Sequence, residues 1–449
     1  MKSEETAAKE QRLGLTGLAA LVFGMMVGSG IFNIPQNMAA GAGLGAVMIG
    51  WIITAAGMLM LVNTFKILAD RHPELNEGIY LYAEKGFGRI VGFNIAWGYW
   101  LCACFANIAY AVMLNDTFGA FFPSLLAHGV PTVLFCSALI WLMFFLISSG
   151  IRTSSIIATG AAIMKVCVII LIIVLLAVNI RYDTLTTDIF SQSDGIGGIT
   201  RQVKSTMLVT LWCFIGIEGA VVMSGRARRQ SDVGKAGIIG FLSAWILYVL
   251  VSVFCFGIMT RARLAGLEDP SVAYALKSVC GEWAYWLVII AVIISITGGW
   301  FAWTLVTAEQ PYSAARHGIF PRRLINKREP ESLRPALLAS SVIMQAFLFL
   351  VIFAEDIYLY ALNITGMMIL PAYFFSGLFL VKMAVKDYRS RPLSSPHARK
   401  DLASALLTGT GCTVFCIWML YAAGLDMLMQ AFCFFLAGLP LYRRKNTSS

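Results

Sequence analysis

Charge is what this sequence has least of. Only 13% of its 449 residues are Asp, Glu, Lys or Arg, where a soluble domain carries about 25%. The stretch Leu13–Phe65 contains none. That excludes an ordinary soluble domain and leaves room for two membrane helices of about 20 residues each. Histidine is nearly as scarce. All four, His72, His128, His317 and His397, are expected in loops, so neither an intramembrane metal site nor a cofactor is expected. The ten cysteines lack any zinc-type spacing. Most fall in apolar runs, including Cys102, Cys104, Cys167, Cys213, Cys412 and Cys416, and read as small packing residues. The charged leader 1–12 has no cleavable-signal pattern, because the apolar run after it is too long.

Apolar residues fill the rest, at 59% of the chain. An all-α polytopic membrane protein follows. Twelve transmembrane spans are expected, at roughly 13–39, 44–66, 90–114, 130–149, 154–179, 202–224, 235–259, 283–308, 335–353, 357–381, 403–422 and 426–442. With the N-terminus inside, 27 of the 34 lysines and arginines fall on the inner side. The positive-inside rule therefore places both termini in the cytoplasm. The net charge of +10 reports basic loops facing an anionic lipid leaflet, and no nucleic-acid partner is expected. The basic run from Arg316 to Arg323 is expected along the membrane surface.

Two spans are interrupted by small residues: Gly28-Ser29-Gly30, and Ile215-Gly216-Ile217-Glu218-Gly219. A helix broken at membrane depth leaves unpaired backbone groups, which survive only where protein or a polar cavity satisfies them. Matching breaks in two halves of a chain point to a transporter's substrate site. The breaks fall in spans one and six. A five-plus-five inverted repeat follows, with units at 13–179 and 202–381, further helices in 403–442, and cytoplasmic tails at 1–12 and 443–449.

Each candidate residue has a plainer reading beside it. Gly28, Ser29 and Gly30 would free N–H groups that favour a carboxylate, although Gly24-xxx-Gly28 is also a helix-packing pattern. Asn33, Pro35, Gln36 and Asn37 favour a true break. Glu218 is the one acidic residue well inside a span, so it reads as a proton site, a cation ligand or a gate, against a structural cap. Lys165 is the one intramembrane base. Desolvation disfavours its charged form, which suits proton coupling; alternatively it stands in for a coupling sodium ion. Snorkelling is the plain reading, but the span end at Ser154 is distant. Trp212 and Trp303 lie near a break and beside Gly298-Gly299, where an aromatic face could hold a cation. Asn107 would bond either a ligand or a neighbouring helix.

Met26-Val-Gly-Ser-Gly-Ile-Phe-x-x-Pro35, Tyr99-Trp-Leu-(x)5-Asn107 and Leu211-Trp-x-Phe-Ile-Gly-x-Glu218 resemble the amino acid–polyamine–organocation (APC) transporters. Within that superfamily the chain is most similar to basic amino acid/polyamine antiporters of the arginine/ornithine type. The resemblance implies a LeuT-like fold. It implies that Gly28, Ser29 and Gly30 take the substrate carboxylate, and that Ile215 offers its carbonyl to the amine. It implies Trp212 as a gating aromatic, Trp303 stacked on the cationic side chain, Asn107 in contact with it, and Glu218 in the gate or proton response. Lys165 resembles a lysine of sodium-independent members. Ile364, Cys102-Ala103 and Tyr110 depart from the arginine/agmatine pattern.

The expectation is therefore an alternating-access antiporter for cationic amino acids in the bacterial inner membrane, exchanging arginine for ornithine. Lysine/cadaverine or arginine/agmatine exchange and proton-coupled symport are the alternatives. A homodimer stays open. An enzyme is not expected, with only two buried charges, and a channel would need a polar pore lining these spans lack.

Overall fold

The computed structural model describes residues 14–442 except 73, 76–77, 128, 150–154, 188, 191–194, 223–226, 230, 330–331, 352–355 and 391–395. The tails at 1–12 and 443–449 lie outside the described residues, as does His128. Described elements are helical: α1 (Leu15–Met26), α2 (Ile34–Gly41), α3 (Leu44–Arg71), α4 (Tyr80–Phe87), α5 (Arg89–Phe118), α6 (Val130–Ser148), α7 (Ser155–Val178), α8 (Tyr182–Thr187), α9 (Gly195–Trp212), α10 (Gly219–Val222), α11 (Ser231–Ile258), α12 (Arg261–Ala265), α13 (Ser271–Cys280), α14 (Glu282–Arg316), α15 (Arg334–Val351), α16 (Ile357–Ser390) and α17 (Pro396–Gly438), with short 3-10 turns between some of them. Seven are long and apolar enough to cross a membrane: α3, α5, α6, α11, α14, α16 and α17. Shorter apolar helices run Leu15–Met26, Met164–Val178 and Arg334–Leu350.

Several expected boundaries move. α14 runs through Pro311 to Arg316, beyond the expected end at 308, and Gly318 (φ 71°) follows its C-terminus. α16 likewise continues into what was expected as loop, to Ser390. A proline inside a span is tolerated because neighbouring groups can satisfy the freed carbonyl. The expected spans at 403–422 and 426–442 form one helix interrupted at Gly424 (φ 83°). His397 belongs to the first turn of that helix, not to a loop. The connections 70–89 and 260–282, expected as loops, hold α4, α12 and α13.

Lipid is as apolar as leucine, so helices in a membrane associate through close van der Waals contact rather than escape from water. α5 is buried along its whole apolar length, whereas α6 and α17 show most of theirs to the outside. α5 therefore forms the centre of the bundle. Small residues set the closest approaches. A Cβ added at Gly377 of α16 would sit 3.0 Å from the Gly409 carbonyl of α17, and one at Gly409 would sit 2.9 Å from the Gly377 carbonyl. Aromatics fill the wider gaps. Trp51 stacks on Tyr248, ring centroids 6.0 Å apart, and Phe214 meets Trp51 edge-on at 5.9 Å. This cluster packs α3 and α11 against the start of the second break.

Candidate functional site: two broken helices around one cavity

α1 stops at Met26, where Val27 turns extended. A 3-10 turn at Gly30–Phe32 follows, and α2 begins at Ile34 with Pro35 in its first turn. Proline suits that position because its missing N–H would have had no helical partner. The interruption lies where the sequence placed it. Carbonyls at the end of α1 are met by side chains from three other helices. Lys165 Nζ donates to Gly24 O at 3.2 Å, Trp303 Nε1 to Met25 O at 3.2 Å, and the Tyr248 hydroxyl to Met26 O at 2.8 Å. An ammonium at a helix C-terminus also opposes the negative end of the helix dipole. On the far side of the break, the N–H groups of Ser29, Gly30 and Ile31 have no partner among the described residues. The Ser29 and Asn33 side-chain oxygens are likewise buried without a partner among them.

The second break is wider than expected. α9 ends at Trp212, and residues 213–218 form turns before α10. Gly216 has φ 109°, a region that favours glycine. A Cβ there would also press on the Met25 backbone at 3.1–3.2 Å, so the two breaks touch. The Ile215 carbonyl accepts no bond among the described residues.

One cavity, of about 10 Å³, lies where the breaks meet. Of the expected site residues, Gly28, Ser29, Trp212, Ile215 and Trp303 line it, joined by Met25, Met26, Ala106 and Tyr110. That volume holds about one water, so an amino acid enters only if these walls move apart. No ionisable side chain other than the Tyr110 phenol reaches it. A cationic ligand would meet ring faces and carbonyls, not a carboxylate. Gly30 sits at the edge, with the Trp212 indole nitrogen 3.0 Å from where its Cβ would be.

Besides Gly30, three expected site residues lie outside the lining. Asn107 is fully buried, and its amide is engaged across helices. Nδ2 donates to Thr307 Oγ1 at 2.7 Å and to Ala103 O at 2.7 Å, while Oδ1 accepts from Thr304 at 2.9 Å. These bonds tie α5 to α14, the helix that carries Trp303. Lys165 braces α1 from behind. Glu218 accepts hydrogen bonds from Tyr99 (2.9 Å), Tyr373 (2.8 Å) and the Gly216 N–H (3.1 Å). It thereby clamps the second break to α5 and α16. Removing one phenol by Tyr373→Phe leaves a buried carboxylate lone pair unmet, which costs about 1–3 kcal/mol. The variant is expected to lower the unfolding midpoint in detergent and to change the rate of exchange. An unchanged midpoint and rate would show that the clamp carries nothing.

Sequence reasoning missed Met25, Met26 and Ala106 as lining, and read Tyr110 as one of many aromatics of the core or interface and as a departure from the arginine/agmatine pattern. Ala106 and Tyr110 are one turn apart on α5, a spacing visible in the sequence. Which face of a fully apolar helix turns toward the cavity was not visible. Among the described residues, no group of His, Cys, Asp and Glu could hold a metal ion. Cys102, Cys104, Cys213, Cys412 and Cys416 are free and buried, and Cys167 is free and exposed.

A multi-pass helical membrane protein with two helices broken around a shared cavity has the build of a solute carrier. Residues 13–442 match the family described as "Amino acid permease", and the chain belongs to that family, within the APC superfamily its motifs resemble. It is similar to the arginine/agmatine antiporter of Chlamydia abortus (strain DSM 27085 / S26/3), 41% identical over 441 residues that cover 96% of this chain and 89% of that protein. It is 40% identical over 453 residues to the arginine/agmatine antiporter of Chlamydia pneumoniae, covering 98% and 92%.

Proposed function

We propose that this chain is an antiporter that exchanges arginine for its decarboxylation product agmatine by alternating access. The observation that carries the reading is the cavity itself. N–H groups with no partner among the described residues lie on one side, an Ile215 carbonyl without one on the other, and two indole rings line it. That set matches an α-carboxylate, an α-ammonium and a delocalised cation in turn. The relatives' names support agmatine as the counter-substrate. Of the positions behind the expectation of ornithine, only Tyr110 lines the cavity; Cys102, Ala103 and Ile364 do not. Ornithine is the second reading, favoured by the unfilled donors at the first break, which agmatine has no carboxylate to meet.

The topology that serves this role has twelve spans: the pair α1–α2, the pair α9–α10, and α17 counted on either side of Gly424. The five-helix units at 13–179 and 202–381 are inverted relative to each other, with helices at 403–442 outside the repeat. Both termini face the cytoplasm of a bacterial inner membrane.

Labelled arginine uptake into proteoliposomes tests this. Vesicles preloaded with agmatine should take up arginine much faster than empty ones. Stimulation by ornithine and not agmatine would select the second reading. Equal uptake into empty vesicles would exclude exchange. The carboxylate site has its own test. Ser29→Val should weaken arginine binding by about tenfold, the value of a hydrogen bond to a charged group. Unchanged arginine affinity in a folded variant would remove Ser29 from the site.

A further inference from the structure

Tyr110 stands apart among the residues that line the cavity. Its hydroxyl has no hydrogen-bond partner among the described residues, although the ring is only 4% exposed. A Cβ added at Gly28 would collide with that hydroxyl, so it lies directly against the first break. Two other side-chain donors face the same stretch of backbone. Ser29 Oγ, beside the equally unpartnered Tyr358 hydroxyl, is buried without a partner, and the Trp212 indole N–H, which lies against Gly30, has no acceptor among the described residues. An indole N–H can only donate. With the N–H groups of Ser29, Gly30 and Ile31, which have no partner among the described residues, these donors lie along the first break. A carboxylate offers about four lone-pair sites and meets such a set.

Tyr110 is also held in place. It lies on α5, the fully buried helix, one turn beyond Ala106, which lines the same cavity. The bonds from Asn107 to Thr304 and Thr307 fix α5 against α14. The Trp212 ring lies 6.5 Å from the Tyr110 ring at 51° and limits its swing. These contacts fix the place of the ring on α5, the reference against which the first break must part to admit a ligand.

We propose that the Tyr110 hydroxyl is the donor by which this site tells an amino acid from its decarboxylated amine. It donates to the substrate α-carboxylate, and an amine leaves it unmet. Tyr110 thus sets the relative affinity of the two exchange partners. This rests on the exchanger reading above, and the test separates the two.

The variant is Tyr110→Phe, which keeps the ring and removes only the unpartnered oxygen. Binding is measured by calorimetry on the purified full-length protein with four ligands: arginine, agmatine, lysine and cadaverine. Arginine methyl ester, which lacks the carboxylate charge, serves as a fifth. The amino acids that bind the parent should weaken roughly tenfold or more, as expected for a hydrogen bond to a charged group. The amines and the ester should change by less than about twofold, since the ring and its packing are kept. Equal weakening of acid and amine would mean that the substitution disturbs the cavity as a whole, and would overturn the proposal. Unchanged arginine and lysine affinity would overturn it too. If lysine and cadaverine show the split while arginine and agmatine do not bind, the role of Tyr110 stands and the arginine assignment falls. A parent protein that binds none of the five removes the exchanger reading and this inference with it.

Discussion

Replacing Lys165 with methionine is expected to reduce arginine exchange by at least about tenfold, while the protein still folds. The side chain is 9% exposed, and its ammonium donates to Gly24 O at the end of α1. Two effects add there. A hydrogen bond from a charged donor is worth about 1.5–3 kcal/mol. A cation at a helix C-terminus contributes up to about 2 kcal/mol more in a partly buried setting. Methionine keeps most of the volume, so the loss isolates the charge. The end of α1 carries Met25 and Met26 in the cavity wall; an unbraced end blurs the geometry of the site and of its closure. If this ammonium stands in for a coupling sodium ion, exchange by the parent should not depend on sodium. Two results would sink this role. One is full exchange by Lys165→Met. The other is parent activity that rises with sodium at constant ionic strength and membrane potential.

The next largest effect is expected at Trp303. Its ring lines the cavity, and its indole N–H donates to Met25 O at 3.2 Å. The bond fixes the plane of the ring, so one face is presented to the ligand without further ordering. A desolvated cation over such a face gains about 0.5–2 kcal/mol. Trp303→Leu keeps apolar bulk and removes the face. Arginine and agmatine should bind about five- to thirtyfold more weakly. Citrulline, a neutral isostere of arginine, should bind the parent poorly and lose little in the variant. If arginine and citrulline lose equally, the ring supplies packing alone and the cation lies elsewhere. Trp212→Leu should differ in kind. Trp212 lies in the wall facing Gly30 and Tyr110; if it acts as a gate there, its loss should slow turnover more than it weakens binding.

Gly28-Ser29-Gly30 was readable because two glycines interrupt a run with no charge to explain them otherwise. Trp212, Ile215 and Trp303 were readable by their nearness to a break or by family resemblance, and they do line the cavity. The extent of the second break was not. Cys213 and Phe214 are not themselves breaking residues; they leave the helix ahead of Gly216 (φ 109°), whose N–H donates to Glu218, itself held by Tyr99 of α5 and Tyr373 of α16. Asn107 could be read either as a ligand contact or as a helix–helix bond, and only its distances to Thr304 and Thr307 show its amide engaged between helices.

The sequence by itself determined the class. Scarce charge and long apolar runs follow from the cost of burying polar groups in lipid, a cost that each residue bears locally. It also determined where helices must break, because glycine and proline act on their own stretch of backbone. Only the tertiary structure decided what each break faces. In a membrane bundle nearly every helix is apolar all round, so periodicity does not mark the inner face. Contacts such as Lys165 to Gly24, Tyr99 and Tyr373 to Glu218, and Tyr110 to Gly28 join residues 82 to 155 positions apart. They exist only because packing selects one mutual rotation of the helices, and that selection depends on all of the packed surfaces at once.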